Sequence, residues 1–86
     1  MHMNNKILVE VYVPVTMKKY DIYIPLDVKL KYVTKMISEA ITELSEGVFI
    51  ATNDAVLCDR STGAIFNINM VGFELGLKNG SSIMLI

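Results

Sequence analysis

Side chains suited to chemistry are few and scattered in this chain of 86 residues, which holds one cysteine, Cys58, and one histidine, His2. A thiol nucleophile needs a base within hydrogen-bond reach, and the sequence offers no imidazole besides His2 at its very start. Strand alternation turns Cys58 inward together with Val56, which predicts a buried structural thiol, as is usual for unpaired cysteine. One Cys and one His fall short of the ligands a zinc site needs, and a single thiol cannot close an internal disulfide. Asp54 and Asp59 are conceivable as a metal or acid-base pair, but their place near turns predicts surface carboxylates. Gly72, Gly76 and Gly80 lack the spacing of a phosphate-binding loop and precede no Lys-Ser/Thr pair, so they read as turn residues. No catalytic residue, metal or cofactor is expected.

Charge excludes a second class. Eight Lys and Arg against nine Asp and Glu give a net charge of −1, whereas a nucleic-acid binder must neutralise phosphates. Tyr20 beside Lys18 and Lys19 has the composition of a base-stacking site, but the neutral balance favours hairpin packing and no nucleic-acid partner. No apolar run approaches the roughly 20 residues that span a bilayer, and no secretory signal opens the chain. The reading is a cytoplasmic protein without membrane insertion. At this length it forms one small domain with a modest core, too shallow for a large-pocket enzyme.

The elements that position these residues follow from periodicity. In KILVEVYV, residues 6–13, Ile7, Val9, Val11 and Val13 share one face, the mark of a strand. Pro14 and the polar stretch 16–19 interrupt it before YDIYI, residues 20–24, resumes the alternation, which predicts an antiparallel hairpin. Leu30, Val33, Ile37, Ala40, Ile41 and Leu44 then recur at steps of three and four, predicting an amphipathic helix over about 29–45 closed by Gly47. VFIAT, residues 48–52, fits a short strand or a loop pinned over the core. AVLCD and AIFNI flank Arg60-Ser61-Thr62-Gly63 as a second hairpin, and Ser82 to Ile86 form the last strand.

One topology absorbs this order: an α+β β-grasp, or ubiquitin-like, roll, a mixed sheet whose last strand lies beside the first and whose one main helix packs across it. A ferredoxin-like sandwich would need a second full helix, and two glycines between Met70 and Leu77 argue against one. Residues 1–5 read as a disordered N-terminus or cloning remnant, and 6–86 as a single ubiquitin-like domain.

The segment YDIYIPLDVKLKYV, residues 20–33, and the closing LKNGSSIMLI, residues 77–86, resemble the YukD-like family, small ubiquitin-like proteins encoded with the WXG100 (Esx-type) type VII secretion systems of Gram-positive bacteria. The resemblance in element order covers nearly all of residues 6–86; the apolar 48–52 departs from ubiquitin itself. It implies a cytosolic accessory of the secretion machinery, or a domain fused to its membrane components, with no catalytic residues to carry over. The alternative is a generic ubiquitin-like adaptor or homo-oligomeric interaction module unrelated to secretion. Ubiquitin-like modifiers and sulfur carriers present a flexible Gly-Gly tail to an activating enzyme; this chain closes at Ile86 inside the expected last strand, so neither conjugation nor sulfur transfer is expected.

What remains is surface. With Ile83 and Leu85 facing the helix, alternation sends Met84 and Ile86 to the other side; with Val56 and Cys58 inward, Leu57 joins them, as do Leu8 and Tyr12. These five predict a contiguous protein-binding patch on the outer sheet face, for a secretion component or a second copy in a homodimer. Lys29, Lys31 and Lys35 crowd the start of the helix, where the macrodipole favours acidic residues. Their cost there predicts a role toward an acidic partner surface.

Overall fold

The computed structural model describes residues 5–86, so His2 lies outside the described residues. Strand β1 (Lys6–Val13) and strand β2 (Lys18–Pro25) form the antiparallel hairpin that the alternation predicts. Its tight turn places Met17 at φ 55°, and the Thr16 hydroxyl donates to the Val13 carbonyl across it. Helix α1 (Leu30–Leu44) follows. A short strand β3 (Leu57–Asp59) and the last strand β4 (Ser82–Leu85) complete a sheet of order β2-β1-β4-β3. β4 runs parallel to β1 and antiparallel to β3. Asn5 is already tied to the fold, because its carbonyl accepts the Leu26 N–H at 2.8 Å.

The core lies between the helix and one sheet face. Val9, Val11 and Val13 of β1 and Ile83 and Leu85 of β4 are fully buried against Leu30, Val33, Ile37 and Ile41 of α1. The buried stripe of the helix is rotated from the one read in the sequence. Leu44 is 60% exposed, while Thr34 and Ser38 are buried. Their hydroxyls donate to the carbonyls one turn earlier, to Leu30 and Thr34 at 2.7 Å each, so neither is left unpaired in the core.

Segment 48–52 is a loop. Only Phe49 enters the core, with Val48 and Ile50 exposed on either side. Two hydroxyls of the last helical turns hold it: Ser45 accepts the Phe49 N–H at 3.0 Å and Thr42 the Ala51 N–H at 2.8 Å. The second hairpin is likewise reduced. β3 is paired on its far side by a single bridge, Cys58 to Ile65, with Asp59 N–H bonded to the Ala64 carbonyl and Phe66 N–H to that of Leu57. Here the turn, not the ladder, dominates. Gly63 takes φ 76°, and the Asp59 carboxylate accepts the Ser61 hydroxyl at 2.6 Å and the Ser61 and Thr62 N–H groups at 2.8 and 3.1 Å.

The turn-rich stretch 67–77 packs over the start of α1. The helix has no side-chain cap; instead the Met70 and Ile68 carbonyls accept the first free N–H groups, those of Leu30 and Lys31, at 2.9 and 3.0 Å. Two donors that a helix start leaves orphaned are thereby satisfied by a distant loop. Gly72 permits this approach, because a Cβ there would meet Leu26 Cδ2 at 3.2 Å.

Candidate protein-binding surface

The register assigns every strand residue to a face. Val11 lies opposite Ile83, and Leu85 opposite Leu57, so all four face the helix. Tyr12 lies opposite Met84, and Met84 opposite Cys58, so these point to the outer face. Ile65 joins them through its bridge to Cys58, and Ile86 through its paired hydrogen bonds with Val56.

Leu57 therefore leaves the patch expected from the sequence: it is 3% exposed and belongs to the core. The inversion arises because Val56, Leu57 and Cys58 are all apolar, so alternation fits either phase, and only the pairing with Leu85 decides. Cys58 takes the outer face instead, yet it is buried. It is paired with Met84 on one side and Ile65 on the other, and Sγ donates to the Met84 carbonyl at 3.6 Å. Desolvation raises the pKa of this thiol, and the neighbouring Asp59 charge adds to the shift, so the thiolate is disfavoured.

The remaining residues do not form one patch. Leu8 lies opposite Tyr23, at the end of the sheet near Gly80, whose N–H bonds the Leu8 carbonyl. Glu10 and Arg60 interpose themselves. The Arg60 guanidinium lies 4.2 Å from the centre of the Tyr12 ring and 3.6 Å from the Glu10 carboxylate. The apolar surface is thus concentrated at the far end, where Ile65 and Ile86 are 64% and 52% exposed and Met84 is half-buried beside them. Neither Ile65 nor Arg60 is apparent from the sequence pattern. Arg60 was hidden as a turn residue, and Ile65 depends on a bridge that no local pattern specifies.

The three lysines are exposed. Lys31 and Lys35 line an open groove of about 350 Å³ between α1 and the loop after it, together with Glu39, Thr52, Asn53 and Ile68; Lys29 stands apart from it. Lys31 Nζ also lies 5.2 Å from the centre of the Tyr32 ring. The carbonyls of Met70 and Ile68 at the helix start place partial negative charge beside the lysines, which offsets part of the dipole cost. Asp59 and Asp54 do not meet as a pair. Asp59 makes the turn described above, and the Ser61 hydroxyl first, then the Thr62 and Ser61 N–H groups, hold its carboxyl below the usual range. Asp54 is exposed, with its N–H on the Thr52 hydroxyl. Among the described residues no group of three or more His, Cys, Asp and Glu is placed to hold a metal, and no helix is long and apolar enough to cross a membrane.

No family model and no curated protein matches this chain, but solved structures do. The ubiquitin-like domain of Plasmodium falciparum Dsk2 matches with a TM-score of 0.71 at 18% identity, over 93% of this chain and 95% of that one. The ubiquitin-like domain of the Mycobacterium tuberculosis type VII secretion system protein ECCD1 matches at 0.66 and 14% identity, over 94% and 97%. A chain of the MycP5-free ESX-5 inner membrane complex matches at 0.72 and 16% identity, over 96% of this chain and 21% of that one. The fold is thus the ubiquitin-like β-grasp: a mixed sheet of four strands with one helix packed across it. At these identities the likeness is one of fold.

Proposed function

We propose that this chain is a non-catalytic, cytoplasmic ubiquitin-like accessory protein of a bacterial type VII (WXG100/Esx) secretion system, and that it binds proteins through the outer face of its sheet. The observation that carries the binding reading is the apolar row of exposed Ile65 and Ile86 with half-buried Met84 beside Tyr12, on the sheet face that the helix does not cover. Apolar area removed from water contributes about 25 cal/mol per Å², and the Arg60 and Glu10 pair at its border supplies the polar rim usual for an interface. The secretion setting is supported by the YukD-like segments 20–33 and 77–86 and by the likeness to the ECCD1 domain and the ESX-5 complex chain. Leu8 contributes from the other end of the same face, and Lys29, Lys31 and Lys35 steer an acidic partner.

The likeness to a Plasmodium domain favours the second reading, an adaptor unrelated to secretion. Calorimetric titration of the purified chain with a WXG100 protein and with the system's FtsK/SpoIIIE-like ATPase separates the two. Binding to either, weakened at least about tenfold by Ile65→Glu, supports the secretion reading. Absence of binding to both removes it.

A further inference from the structure

The two edges of the sheet are finished differently. Beyond β3, the segment 64–66 supplies backbone bonds through Ala64 and Phe66 and the bridge at Ile65. Among the described residues, β2 has no such cover along its length. Leu8 and Glu10 direct their backbone groups to the β4 side, through Gly80 N–H to the Leu8 carbonyl and Glu10 N–H to the Ser81 carbonyl. Alternation therefore turns Ile7, Val9, Val11 and Val13 toward β2, where they meet Ile24, Ile22, Tyr20 and Lys18. The backbone N–H and C=O groups of Lys19, Asp21 and Tyr23 are left on the open edge, and Pro25, without an N–H, ends it.

Charge on this edge is also unfinished. Asp21 lies directly opposite Glu10, a like-charge pair that disfavours both. Arg60 answers Glu10, but no cation among the described residues pairs with Asp21, and no carboxylate pairs with Lys19. An exposed edge normally carries charge that repels another copy. This one carries opposite charges at alternate positions, and that pattern is self-complementary.

We infer that the β2 edge pairs antiparallel with the β2 edge of a second copy, about a twofold axis at Tyr20 that sets Lys19 opposite Asp21 of the other copy and Asp21 opposite its Lys19. Three registers bring at least two outward residues of each copy face to face. One centred on Asp21 opposes two carboxylates, and one centred on Ile22 opposes Asp21 to Tyr23; only the Tyr20 register neutralises both charges twice over. On the helix side of the joined sheet, the two Tyr20 side chains meet. Each lies beside a shallow notch of about 150 Å³ lined also by Val15, Leu44 and Val48, all three about 60% exposed, which the second copy covers. This surface is separate from the outer-face row, so the inference stands independently of the proposed function.

Sedimentation equilibrium tests it. The wild-type chain should dimerise with rising concentration. Lys19→Glu and Asp21→Lys should each weaken the dimer at least about tenfold, whereas an equimolar mixture of the two variants, and the double exchange Lys19→Asp/Asp21→Lys, should recover it. Both positions are exposed, and circular dichroism checks that the variants fold. Tyr20→Cys copies should oxidise to a covalent dimer, since directly opposed residues of a non-hydrogen-bonded pair lie about 4.5 Å apart at Cα, within disulfide range; Ile22→Cys copies should not. A wild-type chain still monomeric near about 1 mM, even one that captures an extended peptide of another protein on this edge, overturns the inference. So does a dimer insensitive to both charge variants or broken instead by Ile65→Glu.

Discussion

On the helix side of the sheet, Val9, Val11, Val13 and Ile83 are fully buried; one position along the same strands, Glu10, Tyr12 and Met84 are partly open to solvent. The buried part of the inner face is apolar and is closed by α1, with Lys18 and Asp59 only at its margins. The outer face mixes apolar residues with the Arg60 and Glu10 pair and has no second layer among the described residues. Stability is therefore concentrated on one face, which leaves the other free to carry recognition at little cost to the fold. Opposite substitution responses are the consequence, and each of the following tests that division.

The largest effect belongs to the inner face. Ile37→Ala removes a side chain that is 1% exposed and should destabilise by about 2–5 kcal/mol, read as a fall in the urea midpoint. Arg60→Ala on the outer face should cost about 0.5–1 kcal/mol, the range of a partly exposed cation–π contact and ion pair. It should also uncover Tyr12, so dye binding to apolar surface should rise while the fold persists. An Arg60→Ala cost as large as that of Ile37→Ala would erase the contrast between the faces.

Changing Lys29, Lys31 and Lys35 together to Gln should stabilise by about 0.3 kcal/mol per residue, the low end of the dipole range, because backbone carbonyls already occupy the helix start. Partner association of that variant should be slower at low salt and equal to wild type at high salt, where steering is screened. The smallest effect is confined to acid. Asp59 has a folded pKa below its unfolded one, so the stabilisation its ionised form gives is present above the ordinary carboxylate range and is lost as pH falls through the folded value. Thermal midpoints of wild type and Asp59→Asn should therefore converge as pH is lowered; a gap independent of pH would assign the turn's stability to something other than the charge.

The inner face was also the legible one. β1, β2, α1 and β4 repeat apolar residues with a period that only one structure satisfies, and their order was enough to specify the β-grasp. Legibility failed where local pattern is degenerate or contacts are distant. Val56-Leu57-Cys58 alternates equally well in either phase, so the pattern alone allows Leu57 on the outer face, whereas its pairing with Leu85 puts it in the core. Leu44 continues the helical stripe but is left exposed, while Thr34 and Ser38 tolerate burial because their hydroxyls bond backward within the helix. The capping of α1 by Met70 and Ile68 joins segments far apart in sequence. The outer row is legible in part: Met84 and Ile86 follow from alternation, whereas Ile65 reaches the row only through its bridge to Cys58.

Binding on the outer sheet face is tested most directly by following the backbone amide NMR signals of the isotope-labelled chain during titration with the proposed partners, a WXG100 protein or an FtsK/SpoIIIE-like ATPase. The largest shifts are expected at Tyr12, Arg60, Ile65, Met84 and Ile86, with the helix-facing Val9, Val11 and Ile37 little changed. Shifts confined to the groove at Lys31 and Lys35 or to the β2 edge, with the outer row silent, would contradict it.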